Sequence, residues 1–92
     1  MAGIPVEQEH KIDVRQALRA FDRITREGEK RDDGWHYQGL TASTDFDGYT
    51  VFISSAKVRL TIFFHNKYTV DYRNAFELHE FAEQLRKLDK AR

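Results

Sequence analysis

The stretch TASTDFDGYTVFISSAKVRLTIF, residues 41–63, decides the fold. Val58, Leu60 and Ile62 alternate with Lys57, Arg59, Thr61 and Phe63, and Phe64 continues the apolar set, the period-two pattern of a half-buried strand. Val51 and Ile53 belong to the strand before it. With Ser55-Ala56 as the turn, Ile53 opposes Val58, Val51 opposes Leu60 and Tyr49 opposes Ile62, so each inward residue meets another. Asp47-Gly48 reads as a two-residue type I′ turn that sets Phe46 against Tyr49, Thr44 against Val51 and Ala42 against Ile53 on the same inner face. The competing reading of Asp45-Phe46-Asp47-Gly48 is a calcium loop. That loop needs further oxygen ligands at alternate positions, where the chain has Tyr49, Val51 and Ile53. The turn therefore explains the residues, and Asp45 is expected as an outward strand residue beside it.

Working outward, Trp35 to Ala42 reads as the first strand. Alternation carried back from Ala42 and Leu40 leaves Trp35 and Tyr37 outside, unless a bulge at Gly39 returns both aromatics to the core. On the far side, His65-Asn66-Lys67 forms a three-residue loop, after which Tyr68, Val70 and Tyr72 face inward. Helices flank the strands. Val14, Ala17, Leu18, Phe21, Ile24 and Thr25 make one helical stripe, which starts either with Pro5 in a first turn or at Asp13 as cap with Gln16 as its box partner, and Gly28 is its left-handed terminator. Ile12 falls off that stripe. GEKRDDG, residues 28–34, reads as a loop. Asn74-Ala75-Phe76-Glu77 opens the last helix as a cap, and Leu78, Phe81, Ala82, Leu85 and Leu88 form its stripe. Its acidic residues come early and its basic ones late, as the helix dipole prefers. The expected fold is α+β in the order α-β-β-β-β-α, an antiparallel four-stranded meander with two helices packed on one face.

The chain has 92 residues, which fits one domain (1–92, with 1–8 expected as a flexible N-terminus) whose core buries about two thirds of the unfolded surface. Fifteen basic residues balance fifteen acidic ones, so no global field draws the chain to nucleic acid or an anionic membrane, and any such partner must meet a local patch. With no cysteine, disulfides and thiol chemistry are excluded. The opening MAGIPVEQEHK shows neither a basic leader nor an apolar run, and no stretch approaches the roughly 20 apolar residues of a spanning helix. A soluble cytoplasmic protein is expected.

Two surfaces are candidates for function. Phe52 and Phe63 point outward from the sheet among Lys57, Arg59, His65 and Lys67, which makes Phe52, Arg59, Phe63 and His65 the expected contact residues for a protein partner or a homodimer. Arg15, Arg19, Arg23 and Arg26 form a basic stripe on the first helix that could lie along phosphates, the alternative nucleic-acid reading; the aromatic and basic sheet face could equally stack unpaired bases. The histidines His10, His36, His65 and His79 lack the spacing of a helical ligand pair, and Ser43, Ser54 and Ser55 lack a nucleophile elbow. A site joining His65 with Asp71 or Asp45 would require the fold to bring them together. No catalytic residue, metal site or cofactor is expected.

From Gly28 to Tyr72, and above all in TDFDGYTVF and LTIFFHNKY, the chain resembles a small gammaproteobacterial family catalogued only as a domain of unknown function, number 3081. That resemblance implies no activity, cofactor or site. In topology alone, a helix, a meander and a closing helix are similar to the double-stranded RNA-binding domain, whose final helix opens on a lysine-rich motif. Here Asn74-Ala75-Phe76-Glu77 and Glu80 occupy that position, acidic where phosphates would lie, and the strand Tyr68 to Tyr72 is additional.

Overall fold

A computed structural model describes residues 12–63 and 67–90. The elements in chain order are α1 (Val14–Glu27), β1 (Glu29–Arg31), β2 (Gly34–Tyr37), β3 (Leu40–Thr44), β4 (Val51–Ser54), β5 (Arg59–Phe63), β6 (Lys67–Asp71) and α2 (Ala75–Lys90). The strands form one antiparallel sheet in sequential order. The α+β class and the paired helices agree with the expected fold, but the sheet has six strands rather than four. The expected flexible segment 1–8 and the residues Phe64, His65 and Asn66 lie outside the described residues.

Both extra strands lie in residues 29–42. Trp35 to Ala42 is a hairpin and not a strand: Tyr37 opposes Leu40 and Trp35 opposes Ala42 across Gln38-Gly39. Gln38 and Gly39 have φ of 50° and 83°, the two positive values that a type I′ turn demands. Gly39 is therefore a turn residue and not a bulge. It still returns Trp35 and Tyr37 to the inner face, where both pack against the core. The expected loop 28–34 contains β1, whose Lys30 opposes Trp35 and sets its ammonium 5.4 Å from the indole centroid.

The hairpin of β3 and β4 keeps the expected register, Thr44 opposite Val51 and Ala42 opposite Ile53. Its tip differs, because pairing ends where the Asp45 amide donates to the Thr50 carbonyl at 3.0 Å. Phe46 and Tyr49 are exposed in the connecting loop instead of paired inside. In the next hairpin, Ile53 opposes Leu60 and Val51 opposes Ile62, a slide of two residues from the expected register. Two residues preserve the face, so every inward side chain still meets an inward one. The turn is pinned by Ser55, whose hydroxyl accepts from the amides of Lys57 (3.2 Å) and Val58 (3.1 Å). Lys67 lies in β6 opposite Phe63 rather than in a loop, and Tyr68 and Val70 face inward opposite Ile62 and Leu60, as expected.

The helices close the inner face. Asp13 caps α1, its carboxylate accepting from the amides of Arg15 (2.9 Å) and Gln16 (3.2 Å). Ile12 and Ala17 are both buried, the arrangement of a hydrophobic staple, so Ile12 belongs to the core despite lying off the helical stripe. That stripe is turned from the expected one: Ala17, Ala20 and Ile24 are buried while Leu18 is 36% exposed. Gly28 ends the helix with an extended backbone (φ −84°, ψ 177°) and not a left-handed one. A side chain there would stand 2.5 Å from the Ile24 carbonyl oxygen and 2.7 Å from that of His36, so glycine is needed for close approach. Asn74 caps α2 by accepting from the Glu77 amide at 2.9 Å, and Leu78, Phe81, Leu85 and Leu88 are buried as expected. These residues join Leu40, Ala42, Ile53, Leu60 and Ile62 in one cluster.

Candidate functional site

Because strand neighbours share a face, the registers define an outer surface carrying His36, Thr41, Ser43, Phe52, Ser54, Arg59, Thr61, Phe63, Lys67, Thr69 and Asp71. Both helices belong to the core on the opposite side, so among the described residues no element covers this one. Phe52 opposes Thr61, which places Arg59 and Phe63 at its two diagonal positions on β5. The Arg59 guanidinium carbon lies 5.0 Å from the Phe52 ring centroid, a cation–π contact that partly covers this phenylalanine. Phe63 is 42% exposed. The structure thus brings together three of the four expected contact residues, Phe52, Arg59 and Phe63, whereas His65 lies outside the described residues.

At one end of this face an open cleft of about 480 Å³ is lined by Ser54, Ser55, Lys57, Arg59, Asp71 and Arg73. Beside it sits Glu77, a buried charged residue only 8% exposed. Arg73 grips its carboxylate through Nε (3.4 Å) and Nη2 (3.0 Å), and Lys57 approaches to 3.7 Å. Sequence reasoning assigned Glu77 only to a helix cap. Its spacing of four from Arg73 was the available signal for the ion pair, but the contribution of Lys57 depends on the β4–β5 turn reaching the helix start.

Asp45 also has a role that alternation did not reveal. One of its oxygens accepts from the amides of Gly48 (2.7 Å), Tyr49 (3.1 Å) and Thr50 (3.3 Å). Burial pushes the carboxyl up, but these donors and the Thr50 hydroxyl outweigh it and hold Asp45 below the usual range. The carboxylate organises a loop, with its backbone donors taking the place a cation would hold. Asp45 and Asp71 stand at opposite ends of the sheet, and the expected site joining His65 with one or the other of them lies outside the described residues. His36 instead meets Asp33, Nε2 to Oδ1 2.7 Å, and its Nδ1 lies 3.5 Å from the Thr41 hydroxyl. The second distance is at the limit of a hydrogen bond, and the Asp33 side chain is 68% exposed, which describes a solvated polar cluster. Among the described residues no three His, Asp or Glu side chains are grouped to hold a metal ion.

The basic stripe of α1 is largely matched within the chain. Arg19 pairs with Asp89 of α2, Arg23 with Glu27 at 3.2 Å and Arg26 with Asp22 at 3.2 Å, while Arg15 is exposed. Tyr37 donates to Glu27 at 3.0 Å and this bond, with Arg23 nearby and against the opposite pull of burial, holds the Glu27 carboxyl low.

A family model described as "Protein of unknown function (DUF3081)" matches residues 12–92. The chain belongs to DUF3081. The match spans both helices and the whole sheet, so the outer face and the Glu77 cluster lie within the DUF3081 domain. No curated protein and no solved structure matches the chain. Among the described residues of this DUF3081 member, no helix is long and apolar enough to cross a membrane.

Proposed function

We propose that this protein is a noncatalytic binding module that docks a protein partner on its outer sheet face, around Phe52, Arg59 and Phe63. The observation that supports the reading is the juxtaposition of Phe63, 42% exposed, with the Arg59-capped Phe52 on a sheet face that no described element covers. Exposed aromatic area beside an arginine is the composition of binding hot spots. Arg59 and Lys67 flank the aromatics, so the face suits a partner segment that presents apolar side chains next to carboxylates. The zero cysteine count suits a reducing cytoplasm as the place of action. The arginines of α1 offer phosphates little uncompensated charge, since Arg19, Arg23 and Arg26 already face carboxylates.

The test compares native protein with Phe63→Ser in parallel affinity capture, followed by amide mapping of the isotope-labelled native chain with any protein retained. A partner held by the native chain and lost by the variant, with shifts on Phe52, Arg59, Thr61 and Phe63 and an unchanged melting curve, is the expected result. Equal retention by both chains, or shifts confined elsewhere, overturns the reading. Salt-sensitive shifts on the same face with mixed short RNA and DNA would replace it with nucleic-acid binding.

A further inference from the structure

The sheet has two edges, and they are built differently. β1 is three residues long, Glu29-Lys30-Arg31, all charged and all exposed, the short charged edge that resists further pairing. β6 is five residues long, Lys67-Tyr68-Thr69-Val70-Asp71, with an aromatic and two β-branched residues at its centre and no proline. Tyr68 and Val70 are only partly buried although Ile62 and Leu60 opposite them are 3% and 0% exposed, so apolar surface stays open along this edge. Among the described residues, β6 pairs with β5 alone.

We propose that β6 pairs antiparallel with β6 of a second copy of this chain, about a two-fold axis through Thr69. The strand is self-complementary in that register. Lys67 opposes Asp71 of the second copy, Tyr68 opposes Val70, Thr69 opposes Thr69, and symmetry repeats the first two pairs. Lys67 and Asp71 share the outer face and Tyr68 and Val70 the inner one, so each new pair joins like surfaces. Asp71, already opposite Arg59 in its own sheet, gains a second cation in Lys67 of the second copy. A slide of one residue would turn the second copy over and set Lys67 against Val70. A slide of two would place Lys67 against Thr69 in one direction or against Arg73 in the other, and in either case lose the Lys67–Asp71 pair. The chain's zero formal net charge opposes none of this. The product is a continuous twelve-stranded sheet with all helices on one side and the two outer faces joined, a geometry that stands whether or not those faces bind a protein.

A five-residue edge is a small interface, so association is to be followed by sedimentation from roughly ten micromolar to roughly one millimolar. The native chain is expected to dimerise over that range, with concentration-dependent amide protection confined to residues 67–71. K67D and D71K, checked for native melting by circular dichroism, are each expected to be monomeric, because one sets carboxylate against carboxylate and the other ammonium against ammonium. Mixed in equal amounts they are expected to recover the dimer, since every charged pair is then of opposite sign. A native chain that stays monomeric, folded single variants that still dimerise, or folded variants whose mixture stays monomeric would each overturn the proposal. Loss of the dimer with capture at Phe63 retained, or the reverse, separates this inference from the outer-face reading.

Discussion

Asp45 shows how one side chain can carry a whole loop. Its carboxylate accepts three successive backbone N–H groups, and such bonds favour the charged form. Since its folded pKa lies below the unfolded value of about 3.9, the stabilisation is fully present above that value and is lost as pH falls through the folded one. Acidification below about pH 4 should therefore lower the protection of the Gly48, Tyr49 and Thr50 amides, measured against the intrinsic exchange rate at the same pH, before the rest of β3 and β4 responds. Asp45→Ala should show the lowered protection already at neutral pH, while Asp45→Asn, which keeps an acceptor oxygen, should retain part of the protection without its pH dependence. Unchanged protection in Asp45→Ala would contradict this account. The sequence named Asp45 as notable for the right contrast, turn against metal loop, but alternation assigned its side chain to the strand surface. Which backbone amides point at a carboxylate depends on the loop path, and Gly48 at φ 81° sets that path beyond the reach of a period-two pattern.

Among the elements, the expected strand Trp35 to Ala42 folds instead as the hairpin of β2 and β3. Within one strand, residues three apart such as Tyr37 and Leu40 point to opposite faces; across a two-residue turn they are opposed and share one. The phase break between the Trp35/Tyr37 and Leu40/Ala42 pairs was therefore legible, and both a bulge and a turn at Gly39 repair it. The turn wins because β1 supplies a further partner for β2. It also holds Gln38, a residue with a Cβ, at φ 50°. Replacing Gln38→Asn should stabilise the fold by a few tenths to about 1 kcal/mol, whereas Gly39→Ala, at φ 83°, should destabilise it by about 1 kcal/mol. Urea unfolding of the two variants checks the pair, and equal midpoints would show that the turn does not require this geometry. β1 itself left no trace in the pattern, because three consecutive charged residues have no apolar phase to read.

At the scale of the molecule, stability rests on the single cluster between the sheet's inner face and both helices. Leu60 is wholly buried at its centre, so Leu60→Ala should cost about 2–5 kcal/mol of a total of about 5–15 kcal/mol. Leu18→Ala, at 36% exposure, should change stability by no more than about 0.5 kcal/mol, although periodicity ranks the two leucines alike. Thermal melts of both variants test the contrast, and a comparable loss in each would place Leu18 in the core. Legible in the residues alone were the α+β class, the Asn74 cap and the stripe of α2, the register of β3 on β4 and the facing of Phe52, Arg59 and Phe63. All of these follow from local periodicity, which dictates which residues share a face. Only the tertiary structure settles that α1 buries Ala20 and turns Leu18 out, that β1 joins the sheet, that Glu77 lies between Arg73 and Lys57, and that no element among the described residues covers the outer face. Those depend on what each face meets, and contacts between distant segments leave no period in the chain.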